Sequence, residues 1–241
     1  MSYQTGLDTS YSGKSILEYM IISKHHDKGS LIMSSKKYFD DVASQWDKMR
    51  ETFFSDAVRE KAFAIANIQP NELAADIGAG TGFITEGLIK RGMRVIVIDQ
   101  SEDMIREMQK KFQNNTKINY RRGDAESLPV EDESVDYVFA NMYLHHVESP
   151  SVAVNEMVRI LKPGGKLIIT DLDEHNFEFL KTEQYDRWMG FKREDVKLWF
   201  IKAGLKEIMV DCVGENCCAS SCCGDEYASV SIFVASGKKV I

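Results

Sequence analysis

The stretch AADIGAGTGF, Ala74–Phe83, places Gly78, Gly80 and Gly82 within five residues, directly behind a short apolar run. Glycine loses more conformational freedom on folding than any other residue, so three so close together mark a place where the backbone itself is needed. The preceding LAADI reads as a buried strand. The following FITEGLIK reads as a helix stopped by Gly92. A strand that turns through glycines into a helix lets a ligand lie against the backbone, facing the helix N-terminus. The order is Asp76-x-Gly78-x-Gly80-x-Gly82, which differs from the G-x-G-x-x-G fingerprint of dinucleotide binding and argues against a nicotinamide dehydrogenase.

Downstream, strands and helices alternate. RVIVID is a β-branched strand ending at Asp99. SEDMIREMQKKF is a helix with Ser101 as N-cap, acids in its first turn, and Met104, Ile105, Met108 and Phe112 on one face. KINYRRGD and VDYVFANM are strands, SVAVNEMVRIL a helix, KPGG a turn and KLIITDL the fifth strand. REDVKLWFIKAG is a helix ending at a glycine, KEIMVDCV the sixth strand and YASVSIFVASG the seventh. Alternation of this kind predicts an α/β fold: a seven-stranded, mostly parallel Rossmann-like sheet with helices on both faces. The last two strands lack a crossover helix between them, so the final strand is expected to be antiparallel. Upstream, SSKKYFDDVASQWDKMRETFF and SDAVREKAFAIANI read as helices, the second closed by Pro70. Residues 1–34 read as an N-terminal extension with one helix in ILEYMII, and residues 35–241 as the domain.

The chain of 241 residues carries a net charge of −7, with 44% hydrophobic and 28% charged residues. The acidic balance disfavours a nucleic-acid partner, which would call for a basic stripe. No apolar run approaches the ~20 residues that cross a bilayer, and the N-terminus lacks the basic and apolar regions of a secretory signal. The expectation is a cytoplasmic protein that acts on a small molecule.

In an open α/β sheet, ligands bind outside the carboxyl ends of the strands. Three acid or glycine signals fall there in order: the glycine loop after the first strand, Asp99 after the second, and GDAESLP, Gly123–Pro129, after the third. A carboxylate at Asp99 suits the two hydroxyls of a ribose, and Asp124 suits an adenine amino group. With these stretches, and with YFDDVASQWD, RRGDAESLPVEDESVDYVFANMYLHHV and EMVRILKPGGKLIITDL, the chain resembles the class I S-adenosylmethionine-dependent methyltransferases, from about Lys37 to Lys238. Within them it is similar to small-molecule enzymes of quinone biosynthesis. HNFEFLKTEQYDRWMGFKREDVKLWFIKAGL is also similar to methyltransferase domains fused to metal-sensing repressors.

The resemblance implies S-adenosyl-L-methionine as cofactor and S-adenosyl-L-homocysteine as product. It implies that Asp76 supports the glycine loop and the cofactor's ammonium, and that Gly78, Ala79, Gly80 and Gly82 line the methionine part. Asp99 would hold the ribose, with Gln100 and Met104 beside the adenine. Asp124 and Ala125 would contact the ring, Asn141 would meet the cofactor through its backbone, and Tyr38 would face the sulfonium from a lid helix. The sulfonium supplies the electrophile, so the protein must chiefly align an acceptor and exclude water. His145 or His146 could serve as a base. Asp173, His175 and Trp188 are candidate substrate contacts, in a segment that also holds Phe177, Tyr185 and Met189.

All five cysteines, Cys212, Cys217, Cys218, Cys222 and Cys223, fall in one twelve-residue patch. An odd count in one patch is no disulfide framework, and C-x4-C-C-x3-C-C lacks the paired spacing of a zinc ribbon. A loop after the sixth strand would hang on the cofactor side of the sheet, so the thiols are a candidate site for a soft metal or metalloid. Two further readings therefore stand beside methylation of a small organic acceptor. One is methylation of a thiophilic substrate such as arsenite. The other is cofactor or metal binding without turnover.

Overall fold

The computed structural model of the chain describes residues 35–240. The sequence reading of residues 1–34 as an extension therefore lies outside the described residues. The described chain opens with α1 (Ser35–Val42), a 3-10 turn (Ala43–Gln45), α2 (Trp46–Phe53) and α3 (Ala57–Ala66). The alternating part follows: β1 (Leu73–Ile77), α4 (Phe83–Lys90), β2 (Arg94–Asp99), α5 (Glu102–Lys111), β3 (Ile118–Arg122) and β4 (Val135–Asn141). A 3-10 turn (Leu144–His146) leads into α6 (Pro150–Ile160), β5 (Leu161–Leu172), α7 (Glu178–Glu183), α8 (Arg193–Lys202), β6 (Leu205–Ser220) and β7 (Tyr227–Lys239).

These strands form one seven-stranded sheet in the order β3-β2-β1-β4-β5-β7-β6. β1 to β5 are mutually parallel, and β7 runs antiparallel to both β5 and β6. The mixed α/β sheet with its antiparallel last strand is the one the alternation predicts. Chain order reverses direction between β1 and β4, which opens a crevice at their carboxyl ends.

Period-two alternation splits the sheet into two apolar faces. Ala74, Val95, Val97, Phe139, Ile168 and Val234 pack under α3 and α4, against Val58, Phe63 and Leu88. Ala75, Ile77, Ile98, Val138, Ile169 and Phe233 face α6 and α8, against Val154, Met157, Val196 and Phe200. Val196 and Phe200 are fully buried, each contributing roughly 1.5–3 kcal/mol by leaving water. α5 begins as its sequence predicts: the Ser101 hydroxyl accepts from the Met104 amide at 3.1 Å, and Met104 and Met108 are buried.

Two elements differ from the sequence reading. KPGG is no separate turn. It lies inside the twelve-residue β5, whose pairing with β4 slips between Val135 and Tyr137. The sixth strand is sixteen residues long rather than ending near Val213, because after an irregularity between Cys212 and Asn216 it resumes pairing with β7 as far as Ser220. The supposed cysteine loop is therefore mostly strand.

Candidate active site

A cavity of about 330 Å³ sits at the crevice, within the range of about 300–1,000 Å³ common for small-molecule sites. Its floor comes from strand ends. Asp76 lies near the end of β1, with Gly78, Ala79 and Gly80 just past it; Asp99 ends β2, with Gln100, Ser101 and Met104 after it; Asp124 follows β3 and Asn141 ends β4. Its roof comes from α1 and α2, through Ser35, Lys36, Phe39, Trp46 and Arg50.

The acids here are fixed by backbone. Asp99 accepts from the Gly80 amide at 2.8 Å through one oxygen and from the Ser101 amide at 2.8 Å through the other. Each oxygen keeps a second lone pair. Burial pushes the Asp99 carboxyl above the usual range. Asp76 accepts from the Thr85 amide and hydroxyl at 3.0 and 2.6 Å, tying β1 to the first turn of α4. Burial raises Asp76 to about 7 despite those bonds. Asp124 accepts from the Glu126 amide at 2.8 Å.

The glycines answer to this chain's own packing as well as to any ligand. Gly78 has φ +64°, and a Cβ there would lie 2.1 Å from the ring of Tyr143, which stacks directly on it. At Gly82, φ +92°, a Cβ would meet Phe112 of the α5 end at 2.6 Å. Tyr143, unremarked in the sequence, also accepts a hydrogen bond from Gln100 Nε2 at 3.2 Å and so spans the floor from β1 to β2.

The roof is held by short polar ties. The Ser101 hydroxyl donates to Asp40 at 2.6 Å and the Thr81 hydroxyl to Asp47 at 2.5 Å. Phe39 stacks edge-on against Trp46 and His146, with centroids 5.2 and 5.0 Å apart. Tyr38 turns away: it is buried, donates to Gln184 Oε1 at 2.9 Å and packs on Tyr185 at 5.1 Å. The side chains that α1 presents to the cavity are Ser35, Lys36 and Phe39. Gly82 and Ala125 likewise stand outside the cavity wall, behind the residues that form it.

A smaller cavity adjoins the first. Phe39, Trp46, Phe54, Met142 and His146 line both, and the second is closed by Phe53, Leu172, Leu180, His145, Asp186, Cys217 and Ala219. Its walls are mostly apolar and aromatic; its polar groups are the two histidines, Asp186 and Gln184.

The histidines differ sharply in charge. His145 Nδ1 lies 2.6 Å from Asp171, a fully buried carboxylate that also accepts the Leu144 amide at 2.8 Å. Its Nε2 is 3.7 Å from Asp186. Burial opposes a charge on His145, but the two carboxylates overcome it and raise the ring to about 9. His146 is pushed well below the usual histidine value, first by burial and then by the neighbouring His145 charge. Asp186 is raised to about 6 by burial. At neutral pH the pair is thus one imidazolium and one neutral imidazole, and the neutral ring faces the junction of the cavities. His145, His146 and Asp186 are also the one set of three ligand-type residues, among the described residues, whose ligand atoms lie within 4.8 Å of one another.

The remaining sequence candidates stand apart from these cavities. Asp173 is held bidentate by Arg193 at 2.7 and 2.6 Å. His175 is buried and accepts from the Phe177 amide at 3.2 Å. Trp188 is 43% exposed and donates its indole N–H to the Val147 carbonyl at 3.0 Å. These three are framework around the loop after β5, not cavity wall.

The cysteines do not converge either. Cys212 receives the Gly214 amide at 3.3 Å, and Cys218 lies beside Ser229 at 3.8 Å. Cys222 contacts Glu183, and Cys223 is 3.7 Å from Cys222. Cys217, next to Cys218 on a strand, points to the opposite face and lines the smaller cavity. Burial pushes its thiol up to about 12, so it stays protonated. Alternation along β6 separates what the sequence clusters, and the expected soft-metal site is not formed among the described residues.

Residues 75–169 match the family model described as a methyltransferase domain. The chain is 30% identical to a demethylmenaquinone methyltransferase of Thermobifida fusca, over 69% of its own length and 67% of the relative's. It is also 30% identical to the ubiquinone/menaquinone biosynthesis C-methyltransferase UbiE of Methylococcus capsulatus, over 67% of each chain. The chain belongs to the class I S-adenosylmethionine-dependent methyltransferases. Other curated relatives are spanned over only 47%, 61% and 56% of their length. Among solved structures, the fold is shared with a phosphoethanolamine N-methyltransferase 2 of Haemonchus contortus in complex with S-adenosyl-L-methionine. That match has a TM-score of 0.70 at 16% identity and covers 89% of this chain and 61% of that one. No helix among the described residues is long and apolar enough to cross a membrane.

Proposed function

We propose that this methyltransferase moves the methyl group of S-adenosylmethionine to a small, largely apolar acceptor of the quinol or phenol type. The observation that carries the reading is His146: a half-buried, neutral imidazole at the junction of an acid-and-glycine cavity with a mostly apolar one. The larger cavity fits the cofactor chemically. Asp99 offers its outward lone pairs to a hydroxyl pair, Asp124 meets an adenine edge, and Asp76 faces an ammonium. Gly78, Ala79, Gly80 and Asn141 supply backbone, with Gln100 and Met104 alongside. The cofactor's contribution is a sulfonium-activated methyl group.

The chain's own residues do the rest. Phe39, Trp46, Phe54 and Met142 enclose the junction and exclude water, which strengthens every charge interaction inside it. His146 accepts a hydrogen bond from the acceptor's hydroxyl and takes its proton as the C–O or C–C bond forms. Asp186, 3.9 Å from His146 Nε2, stabilises the imidazolium that results. His145 does not act as the base, because Asp171 and Asp186 keep it protonated; it holds Asp186 in place. The names of the two quinone-biosynthesis relatives support an aromatic acceptor. The arsenite and non-catalytic readings lose their main support with the dispersal of the thiols.

The test combines a thermal shift with S-adenosylhomocysteine and mass-spectrometric detection of methyl transfer to a panel of hydroquinones and phenols. His146→Gln should lower turnover roughly 10²–10⁴-fold, the range of a lost general base. Cofactor affinity should stay within about twofold, since the hydrogen bond in question is to the acceptor. No thermal shift and no methylated product would remove the reading.

A further inference from the structure

Two carboxylates flank His145, and the chain treats them differently. Asp171 takes His145 Nδ1, the Leu144 amide and the Leu172 amide at 2.6, 2.8 and 2.7 Å. Asp186 is 5% exposed and lines the smaller cavity, yet it accepts no hydrogen bond from the described residues. Its two histidine contacts, His145 Nε2 at 3.7 Å and His146 Nε2 at 3.9 Å, both fall on Oδ1 and both exceed hydrogen-bond length. Oδ2 has no polar partner among the described residues. The other donors of the cavity are turned elsewhere. Tyr38 engages Gln184 at 2.9 Å, and the Trp46 indole nitrogen lies over Gly80, 3.5 Å from where a Cβ would stand. The Cys217 thiol makes no hydrogen bond to Asp186.

His146 adds a second unused acceptor beside it. Its Nδ1–H donates to the Tyr185 carbonyl at 3.4 Å. A carbonyl only accepts, so the proton of this neutral ring sits on Nδ1 and Nε2 keeps its lone pair. Nε2 and Asp186 are thus two acceptors side by side with no donor between them. Asp171 and Asp186 also set two negative charges against the single His145 imidazolium, which leaves one charge of the cluster uncompensated. A buried carboxylate in that condition is costly unless something hydrogen-bonds to it. The backbone bends to place it there: Tyr185, the preceding residue, holds φ +59°, a conformation uncommon for a bulky side chain. Such outliers persist where the surrounding structure enforces them, and they gather at ligand sites.

Spacing says what would satisfy both. Hydroxyls on neighbouring carbons of an aromatic ring stand about 2.8 Å apart, roughly one O–H···O length, and can point together at acceptors 3.9 Å apart. Hydroxyls on opposite sides of a ring point away from each other and cannot. We propose that Asp186 is a substrate-binding residue: while His146 takes the hydroxyl to be methylated, Asp186 takes an O–H or N–H on the neighbouring ring carbon. The substrate class narrows to ortho-dihydroxy or ortho-amino-hydroxy rings, enclosed by Phe39, Trp46 and Phe54, which line both cavities. This rests on the phenol-type reading above and adds to it a second polar group that the reading alone does not require.

The test is initial-rate kinetics with S-adenosylmethionine and five substrates: catechol, 2-aminophenol, 2-methoxyphenol, phenol and hydroquinone. In the native protein, kcat/KM for catechol or 2-aminophenol should exceed that for the other three by roughly 10–100-fold, the effect of pairing a buried charged acceptor that is otherwise left unpaired. The better of the two names oxygen or nitrogen as the donor. 2-Methoxyphenol keeps the ring oxygen but loses the donor, and hydroquinone carries its second donor out of reach. Asp186→Ala should compress the preference to within about threefold. Its rates should fall with every substrate, because Asp186 also touches His146, so the ratio is the readout. S-adenosylhomocysteine binding reports whether the variant folds; if it does not, the native panel decides alone. Equal kcat/KM for catechol, 2-methoxyphenol and phenol overturns the subsite and leaves the phenol-type reading standing. Hydroquinone as good as catechol, or an undiminished preference in folded Asp186→Ala, overturns the subsite too. Methylation of none of the five, by a protein that binds S-adenosylhomocysteine, overturns the phenol-type reading and the subsite together.

Discussion

On the β3-β2-β1-β4 side of the sheet, each strand delivers its cavity residue at its own carboxyl end, in its last ladder pairs or just past them. Asp76, Asp99, Asp124 and Asn141 all arrive this way. On the β5-β7-β6 side, the second cavity is assembled from distant stretches. His145 from a turn after β4 meets Asp171 from β5, Asp186 from the loop after α7 and Cys217 from the far part of β6. The first region is a series of local motifs in register. The second exists only once the chain has closed, and its charges, not its spacing, define it.

The largest effect should come from breaking the second region at its buried pair. Asp171→Ala strands the His145 imidazolium and leaves the Leu144 amide without its acceptor. Urea unfolding at neutral pH should show a loss of about 3–5 kcal/mol, the usual result of removing one partner of a buried ion pair. The pH dependence carries the sign of the same interaction. Folding raises His145 from its ordinary value of 6.5 to about 9, so its stabilisation is complete below about 6.5 and vanishes as pH rises through about 9. Relative to His145→Gln, the native protein should lose on the order of 3 kcal/mol of advantage between pH 6 and 10. A flat difference across that window would mean that His145 is neutral in the folded state.

The first region is challenged next by Gly78→Ala. A Cβ meets the Tyr143 ring and the residue must hold φ +64°; the expected cost is about 2–4 kcal/mol from overpacking plus left-handed strain. Combining it with Tyr143→Ala should recover the packing part but not the strain, which separates the two causes by denaturation. Asp99→Ala should leave stability less affected and weaken S-adenosylhomocysteine by about 1–3 kcal/mol, measured by calorimetry, because a hydroxyl pair loses a charged acceptor. An unaltered affinity would detach the strand-end acids from cofactor binding. The smallest effect is expected at the sequence feature that stands out most. Cys218→Ser with Cys223→Ser should shift stability by less than about 0.5 kcal/mol and leave cofactor affinity unchanged, as for most surface substitutions.

Much of the first region was legible because its signals are local. A glycine run between strand and helix, an acid at each strand end and a serine cap before α5 depend on neighbours within a few residues, and the sheet preserves their order. Tyr143 was missed because its role is contact with Gly78, sixty-five positions earlier, and nothing in its own surroundings marks it. Tyr38 sits on the expected roof helix, but helical periodicity alone does not say which side faces inward, and Phe39 takes the cavity side. The cysteine patch misled because proximity along a strand is not proximity in space; consecutive residues point to opposite faces.

Sequence by itself determined the α/β class, the antiparallel final strand, the carboxyl-end crevice and the acid-and-glycine floor of the larger cavity. Each follows from periodicity and turn chemistry, which act over a few residues and survive whatever the rest of the chain does. Tertiary structure alone decided that His145 is charged and His146 neutral, and that the thiols disperse. The physical reason is that burial and through-space charge set these properties. Both depend on side chains brought together from as far apart as α2 and β6, and no local pattern encodes that distance.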